Sequence, residues 1–148
     1  MLFRSEAKSS YSIRVRSTDS GSPVQYFEKA FTISVTDVNE TPTNITLSNS
    51  TVEENVGPNA AIGTFSTTDP DAGQTFTYTL VSGTDDTDND AFTLTSAGAL
   101  TLKAAANYEA KSSYSIRVRS TDSGSPVQYF EKSFTISVTD VKIGRAHV

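Results

Sequence analysis

Apolar and polar residues alternate with period two along most of this chain. In Tyr114-Ser-Ile116-Arg-Val118-Arg119 the apolar side chains take one face, and Ser115, Arg117 and Arg119 take the other. Phe134-Thr-Ile136-Ser-Val138-Thr139 repeats the scheme, as does Phe76-Thr-Tyr78-Thr-Leu80. Each pattern predicts a half-buried antiparallel strand. Shorter candidates are residues 45–47, 62–67, 92–95 and 99–102. Turn chemistry separates them: Gly57-Pro58-Asn59, Asp69-Pro70-Asp71-Ala72-Gly73, Ala97-Gly98 and Asp122-Ser-Gly124-Ser-Pro126. No ten-residue segment carries a 3.6-residue apolar period, so no helix is expected. Seven short strands within about one domain length predict an all-β, seven-stranded Greek-key β-sandwich.

The pattern occurs twice at its end. Residues 6–38 and 109–141 are identical except that Ala30 becomes Ser133, at an offset of 103 residues. An offset of one domain length marks a tandem array. The complete unit is expected over residues 41–141, and residues 6–40 supply the last two strands and linker of a truncated preceding repeat. An isolated two-stranded hairpin is marginal in water. Its apolar face (Tyr11, Ile13, Val15, Phe31, Ile33 and Val35) lacks the strands that would cover it. Substituting for its twin in the complete unit would require the joint to return the length of a strand. A ten-residue strand spans ~33 Å and six joint residues reach about 20 Å, so that exchange is not expected within one molecule.

Composition narrows the function. The formal net charge is −5, with no cysteine and no long apolar run. A disulfide framework, zinc–thiolate sites and an apolar membrane-spanning helix are therefore not expected. Residues 1–5 and 142–148 have no counterpart in the other copy and resemble translated sequencing adapter, so they are not expected to belong to the repeat. Without Arg4, Lys142 and Arg145 the charge becomes −8, and the single histidine, His147, is also set aside. An acidic protein of this kind disfavours nucleic acid and anionic membranes and favours cations.

Five motifs then stand in order: Val52-Glu53-Glu54-Asn55, Asp69-Pro70-Asp71, Asn107-Tyr108-Glu109, Thr121-Asp122-Ser-Gly124-Ser-Pro126 and, in the joint, Asp37-Val38-Asn39-Glu40-Thr41-Pro42. In order and spacing they resemble a cadherin repeat, and look closest to the tandem cadherin-like repeats of large bacterial surface proteins. The resemblance covers residues 6–141 and implies an immunoglobulin-like sandwich with calcium ions in the joints between repeats. By that similarity the joint present here takes Glu6 from the upper repeat, Asp37, Asn39 and Glu40 from the linker, and Asp69, Asp71 and Asp122 from the lower repeat. Asp19, Glu54, Glu109 and Asp140 correspond to neighbouring joints whose other halves are missing. Asn107 stands where the family more often has Asp, Glu40-Thr41 replaces its commoner Asp-Asn, and the linker is one residue short. The lower set, Asn39, Asp69, Asp71 and Asp122, is therefore expected to be the most intact.

The donor chemistry agrees with the resemblance. Ca²⁺ takes six to eight hard oxygens in a forgiving geometry. Carboxylates within ~4 Å of one another repel by about 1–4 kcal/mol per pair, so an ion that relieves this turns a flexing joint into a stiff one. Other features read more plainly. Asp85-Asp86-Thr-Asp88-Asn-Asp90 fails as an EF-hand, with Ala91 and Ala97 where Gly and Glu belong, and is expected to be a solvated loop. The sequons at Asn44 and Asn49 read as incidental, and Arg14/Arg16 and Arg117/Arg119 as charge balance. No catalytic constellation is visible, so no enzyme is expected. The chain is read as an extracellular or cell-surface spacing and adhesion module. Its expected partners are neighbouring repeats, the same or another surface protein, or glycan. The competing reading is a carbohydrate-binding accessory module of an extracellular hydrolase, using Tyr26/Phe27 or Tyr129/Phe130.

Overall fold

The structure is a computed structural model that describes residues 5–142. The expectation that the two ends are foreign to the repeat falls mostly on residues 1–4 and 143–148, which lie outside the described residues. The chain forms two compact units, Met1–Val38 and Asn39–Val148.

The first unit is one antiparallel hairpin, β1 (Ser10–Thr18) against β2 (Tyr26–Ser34). Its register pairs Ser10 with Ser34 and Thr18 with Tyr26. Asp19 holds the connecting turn, its Oδ1 accepting the backbone N–H groups of Gly21 (3.0 Å) and Gln25 (2.9 Å). Glu28 on β2 lies between Arg14 and Arg16 on β1, accepting from Arg14 Nε at 3.0 Å and from Arg16 Nε at 2.7 Å.

The second unit contains β3 (Asn44–Leu47), β4 (Thr51–Glu53), β5 (Ala60–Thr68), β6 (Phe76–Leu80), β7 (Phe92–Leu94), β8 (Ala99–Leu102), β9 (Ser113–Asp122) and β10 (Tyr129–Thr139). They form two four-stranded sheets, ordered β4-β10-β9-β6 and β3-β5-β8-β7. All pairings are antiparallel except β4 with β10, which is parallel. The seven strands expected from alternation are present, and β4 is an addition. The chain leaves one sheet after β3 and enters the other at β4. Asn49 braces this crossing, donating to the carbonyls of Thr51 (2.7 Å) and Ile62 (2.8 Å). Gly63 meets the crossing so closely that a Cβ there would lie 2.8 Å from Asn49 O. Ile45, Phe65, Phe92, Leu100 and Leu102 face Val52, Tyr78, Ile116, Val118, Ile136 and Val138 across the core. This is the sandwich architecture that the alternation predicts.

The duplicated sequence adopts the same hairpin in both units but has different surroundings. Ile116, Val118 and Ile136 are each 0% exposed, whereas their twins Ile13, Val15 and Ile33 are 44%, 46% and 52% exposed. Backbone pairing follows from local sequence, while burial depends on the covering sheet.

The acidic loop after β6 is exposed at Asp85, Thr87 and Asp90, as expected of a solvated loop, but it also pairs with β9. Val81 N–H donates to Arg117 O (3.1 Å) and Asp88 N–H to Ser115 O (3.0 Å). Ser115 N–H donates in turn to Asp88 Oδ2 (2.7 Å), and Arg117 N–H to Asn89 Oδ1 (3.0 Å). Loop backbone and side chains thus occupy the edge of β9 beyond the end of β6. A covered edge cannot template pairing with another strand.

Candidate functional site

Three short segments meet at one end of the second unit: the linker residues Asn39 and Glu40, the turn 69–74, and the turn after β9. Asp122 ends β9, and its Oδ1 accepts the N–H groups of Gly124 (3.1 Å) and Gln128 (2.9 Å), closing the β9–β10 turn. Its other oxygen, Oδ2, accepts from Asn39 Nδ2 at 3.0 Å. Asn39 Nδ2 also donates to Pro126 O at 2.7 Å, so the linker amide is fastened to this turn at two points.

The Asp-Pro-Asp turn builds itself locally. Asp69 Oδ1 accepts the Asp71 N–H at 2.8 Å, an Asx-type closure that fits the turn residues present. Asp71 Oδ2 then accepts the Glu40 N–H at 2.7 Å and Gln74 Nε2 at 3.0 Å. Gln74 Nε2 also donates to Asn39 Oδ1. The expected set Asn39, Asp69, Asp71 and Asp122 is therefore brought together in one hydrogen-bonded network, with Gln74 as its bridge. Asp71 is only 8% exposed and Asp122 only 5%. Despite this burial, Asp69 Oδ2, Asp71 Oδ1 and Gln74 Oε1 have no hydrogen-bond donor among the described residues.

A second acidic group lies within the same unit. Carboxylate oxygens of Glu54, Glu109 and Asp140 lie within 4.8 Å of one another. Glu54 follows β4 and is buried, its Oε2 accepting the Tyr108 N–H (3.1 Å) and its Oε1 the Val141 N–H (3.0 Å). Asn107 turns to its own loop, accepting the Ala110 N–H at 3.2 Å. In the first unit, carboxylate oxygens of Glu6 and Asp37 also lie within 4.8 Å of each other. Ser5 Oγ donates to Asp37 Oδ1 at 2.6 Å. Asp19 serves as the turn brace described above.

Elsewhere, Arg119 and Arg117 flank Glu131 on β10, at 2.6 Å to Oε1 and 3.1 Å to Oε2 respectively. The Arg119 side-chain hydrogen bonds hold the Glu131 carboxyl below its ordinary range against a smaller opposing effect of burial, and Arg117 adds to the lowering. The arginine pairs are thus compensated across the strands. Of the aromatic candidates for a sugar face, Phe27 is exposed, and the other three have neighbours. The Arg119 guanidinium sits 4.2 Å from the Tyr129 ring centroid, and Arg16 sits 4.3 Å from that of Tyr26. Phe130 packs against the core.

Sequence reasoning missed Gln74. Its only signal is its position just after the Asp-Pro-Asp-Ala-Gly turn, and nothing about a neutral amide there announces a bridge.

The sandwich and its acidic end define a cadherin-type domain. The cadherin domain family model matches residues 48–139, and the chain belongs to that family. Human protocadherin alpha-C1 is 29% identical over 142 residues, covering 91% of this chain and 15% of its own length. Protocadherin-18 of Bos taurus is 33% identical over 131 residues, covering 83% of this chain and 12% of its own length. The chain thus spans under a fifth of either relative. Among solved structures, the protocadherin GammaB4 extracellular domain superposes with a TM-score of 0.71 at 26% identity, over 94% of this chain and 23% of that one. The protocadherin gammaB7 EC3-6 cis-dimer structure gives 0.73 at 21% identity, over 94% of this chain and 34% of that one, and shows the fold alone. The domain is an extracellular, cell-surface one. Among the described residues no helix is long and apolar enough to cross a membrane.

Proposed function

We propose that this chain is a calcium-rigidified spacing and adhesion module of a surface protein. The observation that carries the reading is the set of buried oxygens without donors among the described residues, Asp69 Oδ2, Asp71 Oδ1 and Gln74 Oε1. Buried acceptors left unsatisfied cost about 1–3 kcal/mol each, more when charged, so a native fold retains them where something else satisfies them. All three are hard oxygens, the donor type that Ca²⁺ prefers. Asp69, Asp71, Asn39 and Asp122 would hold the ion in this reading, and Glu54, Glu109 and Asp140 form a second candidate set in the same unit. Glu6 and Asp37 are the corresponding acidic pair of the first unit.

Calcium supplies positive charge that carboxylates need in order to stay close, and it fastens an irregular linker to two turns. Asn39 and Glu40 are already tied to those turns by Asp122 and Asp71. Binding would add charge neutralisation to a preassembled network and make the linker stiffer. Neighbouring repeats of the same chain are the partners this requires. The carbohydrate reading finds less support, because Arg119 and Arg16 lie against the exposed tyrosines it needs.

Calorimetric titration of the 148-residue chain with calcium tests the proposal. Saturable binding that is weakened by Asp71→Ala is the expected result. Absence of heat, or a variant indistinguishable from the parent, overturns it.

A further inference from the structure

Gln74 is not among the residues that the acidic motifs single out, yet it joins two of them. Its side-chain amide donates to Asn39 Oδ1 and, at 3.0 Å, to Asp71 Oδ2. Asn39 comes from the linker and Asp71 from the turn, so one NH₂ group holds together two acceptors from different segments. A glutamine side chain has two donors and a two-lone-pair acceptor. Here both donors are used, while Oε1 is buried with no donor among the described residues.

We propose that Gln74 is a positioning residue for the calcium cluster: a neutral place-holder that keeps Asn39 and Asp71 together before the ion arrives. The proposal rests on the calcium reading above and assigns this chain's own side chain a part in it. The chemistry explains the choice of residue. A lysine would neutralise Asp71 more strongly but would repel an incoming cation with a full charge. A glutamate would supply oxygens but no donors, and would add to the repulsion among Asp69 and Asp71. The amide offers partial positive charge in the ion-free state and leaves Oε1 as one more hard oxygen for the ion.

The test compares the full chain with Gln74→Glu and Gln74→Met, by thermal unfolding in EGTA and in saturating calcium, alongside calorimetric titration with calcium. Met keeps the length but removes donors and acceptor, whereas Glu keeps acceptors and adds charge. Both variants should melt below the parent in EGTA. Calcium should return Gln74→Glu to the parental melting temperature. Gln74→Met should stay below it, with calcium affinity lowered about tenfold, the loss of one charge-assisted hydrogen bond. A merely structural glutamine would lower the EGTA and calcium curves equally. Equal shifts, or no shifts, overturn the proposal while leaving the calcium reading intact if the parent responds to calcium. A parent that shows no calcium response brings down both.

Discussion

Asn39 and Asp122 lie 83 positions apart in sequence and are joined by a 3.0 Å hydrogen bond from Nδ2 to Oδ2. The contact exists because Gly124 leaves room for it. A Cβ at Gly124 would fall 1.9 Å from Asn39 Oδ1, well inside contact distance.

Gly124→Ala should therefore expel Asn39 while leaving the sandwich folded. The expected readout is calcium affinity lowered roughly tenfold, about 1.4 kcal/mol, by calorimetry. Gly21 in the identical first hairpin is the internal control, since a Cβ there meets Asp19 Oδ1 at 3.3 Å as its nearest neighbour. Gly21→Ala should leave this affinity unchanged. Equal effects from the two substitutions would show that Gly124 does not act through Asn39.

Asp88 turns a surface loop into a strand substitute. Its Oδ2 accepts the Ser115 N–H at 2.7 Å, and Lys111 Nζ sits 3.1 Å from its Oδ1. Asp88→Ala leaves a β9 backbone donor unpaired and opens a sheet edge. The expected cost is about 1–3 kcal/mol, seen as a lower urea midpoint with an unchanged slope. Asp86→Ala removes only a bond to the neighbouring Gly83 N–H within the loop and should cost less.

Glu131 makes part of the stability depend on acid. Arg119 first, and Arg117 second, lower its folded carboxyl below the ordinary value of 4.5. The folded state therefore holds this proton less tightly than the unfolded chain. The stabilisation is fully present above that ordinary value and is lost as pH falls through the lowered folded one. Thermal unfolding between neutral pH and pH 3 should show a steeper acid loss for the parent than for Glu131→Gln. Parallel profiles would mean that the arginine pair contributes nothing to folding through this carboxylate.

The sequence made the strands legible because each carries its own alternation, as in Tyr114–Arg119 and Phe134–Thr139. It did not make β4 legible. Thr51-Val52-Glu53 is too short to show a period, and its strand state depends on parallel pairing with Ser137–Thr139, far along the chain. Nor did a run of acids reveal that Asp88 and Asn89 imitate a strand edge, because that role needs β9 alongside. Asp69, Asp71 and Asp122 were legible through the order and spacing of their motifs. Gln74 was not, since its partners Asn39 and Asp71 become neighbours only after the linker meets the turn.

The duplicated hairpin separates these two kinds of information in one molecule. Ile13 and Ile116 occupy the same position in identical local sequence, on β1 and β9. Both strands form, each against its own partner. Only Ile116 contributes to a core, where it belongs to the cluster that includes Ile45, Phe65 and Leu100. Removing a buried isoleucine side chain to alanine typically costs about 2–5 kcal/mol, because transfer and cavity costs add. A half-exposed site away from such a core usually changes by within about 0.5 kcal/mol. Ile116→Ala should therefore lower the urea midpoint of the sandwich sharply, and Ile13→Ala should leave it nearly unmoved. The same contrast is expected between Ile136→Ala and Ile33→Ala, which repeats the comparison on the partner strands. Similar losses at both members of either pair would mean that the first hairpin has found a cover in solution, and analytical ultracentrifugation would then show whether a second copy supplies it.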